Sequence, residues 1–428
     1  MDYFVADVTT LDGNRVDVEI RDGRIDRLVD AGEGDPGEFD RDRRYDGGGR
    51  LATPPLVEPH LHLDATLTAG DPRWNDSGTL AEGIRIWAEY KQSLDAADVK
   101  ARATEAIEWL VAHGVTRVRT HADTTEESLT GVHALLELRD ELSDLVDLQV
   151  VAFPQDGVFT RENHEDLLRE AVEAGCDLVG GIPHNEHTRE DGVADVQLAA
   201  DLAEAHDRGL DLHIDETDDP GSRFTEVLAS EAIERGLGER TTASHATAMH
   251  SYPNAYAAKL ISLLAESGVS VITNPPDNSV LQGRYDDYPR RRGHTRVDEL
   301  RAAGVTVGIG HDSIVDPWYH YGVGDPLDAA FVLLHYAHMS GRGDVEPLWR
   351  MLTDANAAIF GVEDEYGLVE GAEGSLVVFD SPTPFDALRT RAPRTLVLRE
   401  GRAVAETAPA ETVVRRDGEA RRVNFHRS

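Results

Sequence analysis

The sequence predicts an α/β protein, a (β/α)8 TIM barrel carrying a small β-sandwich formed from both chain ends. Three observations predict it. From Leu51 onward one unit recurs: a short apolar strand, a polar residue at its C-terminal end, a loop, and a helix with apolar residues at 3.6-residue spacing. Eight such units can be counted, which favours a closed barrel over an open doubly wound sheet. The flanks show short apolar alternations broken by Asp-Gly pairs, a hairpin signal.

In chain order the strands are expected at 56–63, 116–123, 148–155, 177–184, 210–216, 241–245, 269–274 and 305–312. The helical stretches between them carry one apolar face, as with Ala103, Ile107, Leu110 and Val111. Gly114, Gly175, Gly209, Gly268 and Gly304 each stand between such a stretch and the next strand, where a helix C-cap belongs. The N-terminal flank holds Asp12-Gly13 and Asp22-Gly23; the C-terminal flank holds apolar runs at 376–380 and 395–400. Each flank is too short to bury a core alone. Residues 1–52 and 366–428 are therefore expected to combine into one composite β-sandwich domain beside a barrel at 53–365.

Composition excludes several partners. With 80 acidic and 42 basic side chains the net charge is −38, so the surface repels nucleic acid and anionic membranes. Only Lys91, Lys100 and Lys259 are lysines. Such an acid-rich, lysine-poor balance resembles soluble halophilic proteins, whose self-repulsion high salt screens. No basic leader precedes an apolar run and no stretch reaches membrane-spanning length, so a cytoplasmic protein is expected. The single cysteine, Cys176, excludes an internal disulfide and a Cys-x-x-Cys metal site.

Barrel enzymes draw their reactive groups from the C-terminal strand ends, which converge on one face. Here the first strand ends in His60-Leu61-His62, and alternation aims both imidazoles the same way. Later ends carry His121 and Asp123, Gln155, His184, His213 and Glu216, His245, and His311 and Asp312. Histidine makes up only 18 of 428 residues, so its concentration at these ends argues for a metal site. His60, His62, His213 and Asp312 form a set of three imidazoles and one carboxylate suited to one Zn2+ or Fe2+ ion, with a position left for water. His121, His184 and His311 are expected to support the ligands, with Asp64 and Asp123 orienting them.

Five segments then carry a specific resemblance: Pro59-His60-Leu61-His62-Leu63-Asp64, Ala152-Phe153-Pro154-Gln155, His213-Ile214-Asp215-Glu216, Ala243-Ser244-His245-Ala246 and Gly310-His311-Asp312-Ser313. In this order they resemble the motifs of bacterial-type cytosine deaminases of the amidohydrolase superfamily. Gln282-Gly283-Arg284-Tyr285-Asp286 and Asp316-Pro317-Trp318-Tyr319 are similar too. The resemblance implies hydrolysis of cytosine to uracil and ammonia, a pyrimidine-salvage reaction, by a homo-oligomer acting on a small molecule. It implies that His60, His62, His213 and Asp312 hold one iron or zinc ion, and that Asp312 also takes a proton from the attacking water. His245 would position that water, and Glu216 would protonate the ring nitrogen and carry the proton onward. Gln155 would read the carbonyl and ring N–H edge, while Phe153 and Trp318 shape the pocket.

Two other schemes fail on residue content. A binuclear amidohydrolase needs a lysine at the end of strand four, and 179–190 has none. The cysteine-zinc base deaminases need more than one cysteine. The sequence also departs from the resembled pattern: Ser313 stands where those enzymes carry a second aspartate, and Pro275-Pro276-Asp277-Asn278-Ser279 differs in the loop after strand seven. Both changes bear on the choice of ring, leaving isoguanine, a 5-substituted cytosine, an aminotriazine or a cyclic amide as alternatives to cytosine.

Overall fold

The computed structural model describes residues 1–427. The chain opens with β1 (Tyr3–Thr9), β2 (Arg15–Arg21), β3 (Arg24–Asp30) and β4 (Arg44–Thr53). The expected turn between β2 and β3 is there, with Asp22 at φ +49° and Gly23 at φ +76°, the two left-handed residues of a type I′ hairpin. Near the other end come β13 (Leu376–Phe379), β14 (Arg394–Arg399) and β15 (Arg402–Glu406), followed by the exposed hairpin β16 (Val413–Arg416) and β17 (Glu419–Arg422).

The two ends combine into one seven-stranded sheet. Their strands run in the order β15-β14-β13-β4-β1-β2-β3, with β4 parallel to β1 and antiparallel to β13. Val5, Val18, Ile20 and Ile25 from the first flank share one core with Leu376, Val378, Leu396 and Leu398 from the second. Arg399 fastens this unit to the barrel through Asp147, at 2.7 Å.

Eight parallel strands lie between: β5 (Leu56–Leu61), β6 (Val115–Asp123), β7 (Asp147–Phe153), β8 (Leu178–Val179), β9 (Gly209–Ile214), β10 (Thr241–His245), β11 (Ser270–Thr273) and β12 (Val307–Ile309). They pair in sequence order, and a parallel bridge from Leu61 to Asp312 brings the last back to the first in a nearly closed TIM barrel. Both faces are covered, so β5 and β6 are buried along their whole length. The helix Ala96–Ala112 shows how one unit is built. The Asp95 side chain caps its first turn, Val99, Ala103, Ile107 and Leu110 bury one face, and Gly114 leaves at φ +84°.

Two local expectations are corrected. Gly209 opens β9 instead of capping a helix; Asp207, at φ +53°, takes the left-handed cap, and a Cβ on Gly209 would stand 2.9 Å from the Arg240 carbonyl oxygen. β8 has only two residues, and Pro183, which cannot donate to a ladder, opens a turn, so His184 lies beyond the strand.

The barrel interior is unusually polar. Arg119, buried on β6, donates to Asp211 on β9 at 2.9 Å, to the Ile359 carbonyl at 2.6 Å and to Gln149 at 3.0 Å. Breaking such a pair strands a buried carboxylate. Arg119→Met is expected to cost about 3–5 kcal/mol in denaturant unfolding; a loss under about 1 kcal/mol would show that Asp211 finds other partners.

Two short helices are inserted above the C-terminal strand ends. Leu80–Tyr90 follows β5, and Pro275–Leu281 follows β11. Both come to line the site described next. No helix is long and apolar enough to cross a membrane among the described residues.

Candidate active site

The Nε2 atoms of His60 and His62 lie 3.3 and 3.0 Å from His213 Nε2, and 3.4 and 3.5 Å from Asp312 Oδ1. Four donors set about 2.1 Å from a central ion in a tetrahedron lie about 3.4 Å apart. The predicted set therefore has the spacing of a shell around one divalent cation. Its charge state also fits: burial, then the neighbouring imidazoles, depress the His213 pKa well below the ordinary value, leaving it neutral. Burial alone would raise the Asp312 carboxyl, but His60 and His245 hold it well below the carboxylate range.

Neighbours fix these groups in orientation. The His60 Nδ1–H donates to Ser244 Oγ at 2.9 Å, and Ser244 in turn donates to Asp211 Oδ1 at 2.6 Å. That leaves the Nε2 lone pair of His60 facing the shell. The buried Glu58 carboxyl, pushed up to about 8 mainly by burial, accepts from the backbone N–H of His60 and of His311 at 3.1 and 3.0 Å. It ties the end of β5 to the segment carrying Asp312.

Glu216 sits beside the shell, only 3% exposed and with no side-chain hydrogen bond among the described residues. Its Oε1 and Asp312 Oδ2 each lie 3.8 Å from His245 Nδ1. Burial, then the charge of Asp312, raises the Glu216 carboxyl well above its ordinary value, which favours the protonated form. Its aim is set by Asp215, at φ +51°, whose carboxylate accepts from Ser222 Oγ at 2.6 Å, Phe224 N at 3.0 Å, Thr225 N at 2.9 Å and Tyr252 OH at 3.1 Å. His245 and Asp312 also hold left-handed backbone, at φ +70° and +76°. Strain of this kind persists only where the surroundings over-determine it.

A cavity opens on the shell. Gln155, Glu216, His245, Ser313 and Trp318 line it, with Leu80 and Leu281 from the two inserted helices closing it over. Gly83 lies under the indole of Trp318, where a Cβ would approach Cδ1 to 2.4 Å. A wider vestibule flanked by Thr79, Ile84, Asn185, Thr217 and Arg284 shares Leu80, Glu216 and Leu281 with this cavity and leads out of it.

The structure thus brings together every candidate except Phe153, which stacks on His213 at 4.1 Å and backs the ligand instead of lining the cavity. His121 and His311 are buried and off the cavity wall, while His184 is half-buried and lines the vestibule. Burial pushes them to about 3, 4 and 4. Asp64 and Asp123 do not orient them: Asp64 accepts the Asp123 backbone N–H at 2.8 Å, while Asp123 pairs with Lys91. The carboxylate facing His121 is Asp211, at 3.5 Å. Sequence reasoning also missed Asp277, which lines the cavity and accepts from Ser313 Oγ at 2.8 Å, and Asn278, 3.0 Å from His245 Nδ1. Only the unusual loop after strand seven signalled them.

Known proteins resemble this chain over most of its length. Residues 44–414 match the amidohydrolase family. The chain is 31% identical to N-isopropylammelide isopropyl amidohydrolase of Pseudomonas sp. (strain ADP), over 84% of this chain and 87% of that protein. It is 29% identical to pterin deaminase of Rhizobium rhizogenes, over 92% and 89%. The crystal structure of 5-methylcytosine deaminase from Klebsiella pneumoniae, liganded with 5-fluorocytosine, superposes with a TM-score of 0.92 at 43% identity, covering 97% of this chain and 100% of that one. The chain therefore belongs to the amidohydrolase family, as a hydrolase acting on carbon–nitrogen bonds.

Proposed function

We propose that this protein is a metal-dependent deaminase of a cyclic nucleobase, releasing ammonia from cytosine or a 5-substituted cytosine. The observation that carries the reading is Glu216: a buried carboxyl opening onto the same cavity as the cluster of His60, His62, His213 and Asp312. His60, His62, His213 and Asp312 would hold a divalent ion, iron or zinc, which would supply a water acidic enough to attack at neutral pH. Asp312 would accept a proton from that water as it adds to the amidine carbon, and His245 would orient it. Glu216 would give its proton to the ring nitrogen, take the hydroxyl proton of the adduct and pass it to the departing amine, and the proton held by Asp312 would then restore Glu216.

Gln155 lies after β7 and Asp277 after β11, four strands apart in the ring of eight and so on opposite walls. Gln155 is suited to read a carbonyl and ring N–H edge, with Trp318 against the ring face. Ser313, shorter than the aspartate of the resembled pattern, leaves room for a small substituent beside the reacting carbon. Likeness at 43% identity to a 5-methylcytosine deaminase supports the same choice.

A panel of cytosine, 5-methylcytosine, isoguanine, pterin and N-isopropylammelide, assayed with defined metal at high salt, tests the reading. Ammonia release with kcat/KM at least about tenfold higher for a cytosine than for the other rings is expected, a difference of about 1.4 kcal/mol in transition-state binding. Release of isopropylamine without ammonia from any amino ring would replace deamination by cleavage of a substituted amine.

A further inference from the structure

Lys91 is the buried member of the three lysines, 6% exposed, while the side chains of Lys100 and Lys259 stand 22% and 66% exposed. It directly follows the inserted helix Leu80–Tyr90. An ammonium has three N–H groups, and here each has an acceptor: Asp123 Oδ2 at 2.8 Å, Thr125 Oγ1 at 2.6 Å and Asp156 Oδ2 at 2.7 Å. Nothing in the proposed chemistry uses this charge, yet a charge is costly to bury unless its position matters.

What it joins is informative. Asp156 directly follows Gln155, whose side chain lines the cavity without a hydrogen bond among the described residues. Asp123, at the end of β6, also accepts from Trp87 Nε1 at 2.8 Å. Trp87 belongs to the inserted helix and packs with Trp318, ring centroids 6.5 Å apart, in a cluster with Leu281. One ammonium therefore links the turn that carries the edge-reading amide to the helix that backs the aromatic wall.

We propose that Lys91 is a positioning residue for substrate recognition: its three hydrogen bonds set the Gln155 turn against the Trp87–Trp318 wall, and so set the width of the slot that admits a planar ring. The proposal rests on the reading of Gln155 as a substrate contact. An arginine would not replace it, because a planar guanidinium fork cannot meet three acceptors converging on one atom.

In the metal-loaded enzyme, Lys91→Met is expected to raise KM for cytosine about tenfold and to change kcat less than about threefold. Lys91→Arg should behave like Lys91→Met. In a Gln155→Ala background Lys91→Met should add less than about twofold to KM, because the group it positions is gone. An unchanged KM, or equal and additive effects in both backgrounds, overturns the proposal. Should Lys91→Met fail to fold, Asp156→Asn carries the same cycle, since it leaves Lys91 with Asp123 and Thr125. Backbone amide exchange across residues 153–158 needs no turnover: faster exchange in either variant supports the clamp, and unchanged exchange overturns it. A wild-type protein that deaminates no ring while its variants exchange faster supports the clamp and overturns only the proposed function.

Discussion

Glu216→Gln is expected to lower kcat by about 10³-fold while leaving one metal ion per chain. The amide keeps the size of the carboxyl and an N–H to donate, but it cannot give up a proton to the ring nitrogen and take one back. The structure makes this loss hard to offset. Glu216 is 3% exposed, and among the described residues only Asp312 also brings a carboxylate within 4 Å of His245. Ammonia release and metal analysis on the same preparation check it. Activity within about tenfold of wild type would remove Glu216 from the proton path.

Removal of the metal is the other large effect. A chelator that empties the site should bring ammonia release to the detection limit, and one equivalent of Fe2+ or Zn2+ should restore it. His213→Ala should produce the same loss permanently, with metal content falling below about one-tenth of an ion per chain. His213 Nε2 is the donor closest to both His60 and His62, and without it the remaining set is open on one side. Melting temperature should fall on metal removal, because an ion that binds only the folded shell stabilises it by mass action. Undiminished turnover in the chelated protein would refute metal dependence.

Much of this arrangement was legible in the sequence, for a physical reason. A barrel places the C-terminal ends of all its strands on one rim, so a polar residue that ends an apolar run is assigned to the site by local pattern alone. His60, His62, His213, His245 and Asp312 were found that way, and all of them meet. The resemblance added roles to these positions. Strand lengths were less legible. The expected strand at 177–184 shrank to Leu178–Val179: Gly180 and Gly181 still bond to Ala152 and His213, but Pro183 has no N–H to give and opens a turn, information that apolar periodicity does not carry.

The missed residues share one property. Asp211, Asp277 and Lys91 matter through partners far away in sequence: Asp211 to Arg119 and Ser244, Asp277 to Ser313, Lys91 to Asp123 and Asp156. Phe153 was misplaced for the same reason, since β7 carries it beside the cavity but only the angle of its neighbour shows that it backs His213.

By itself, then, the sequence determined the barrel, the β unit made from both ends and the strand-end histidines and aspartate that come together, because repeating strand–helix units and strand-end chemistry are local signals. The tertiary structure decided which buried carboxylate faces which cation, how the inserted helices close the cavity, and that Asp277 stands opposite Gln155. Those depend on distances between chain segments tens to hundreds of residues apart, which no local pattern encodes.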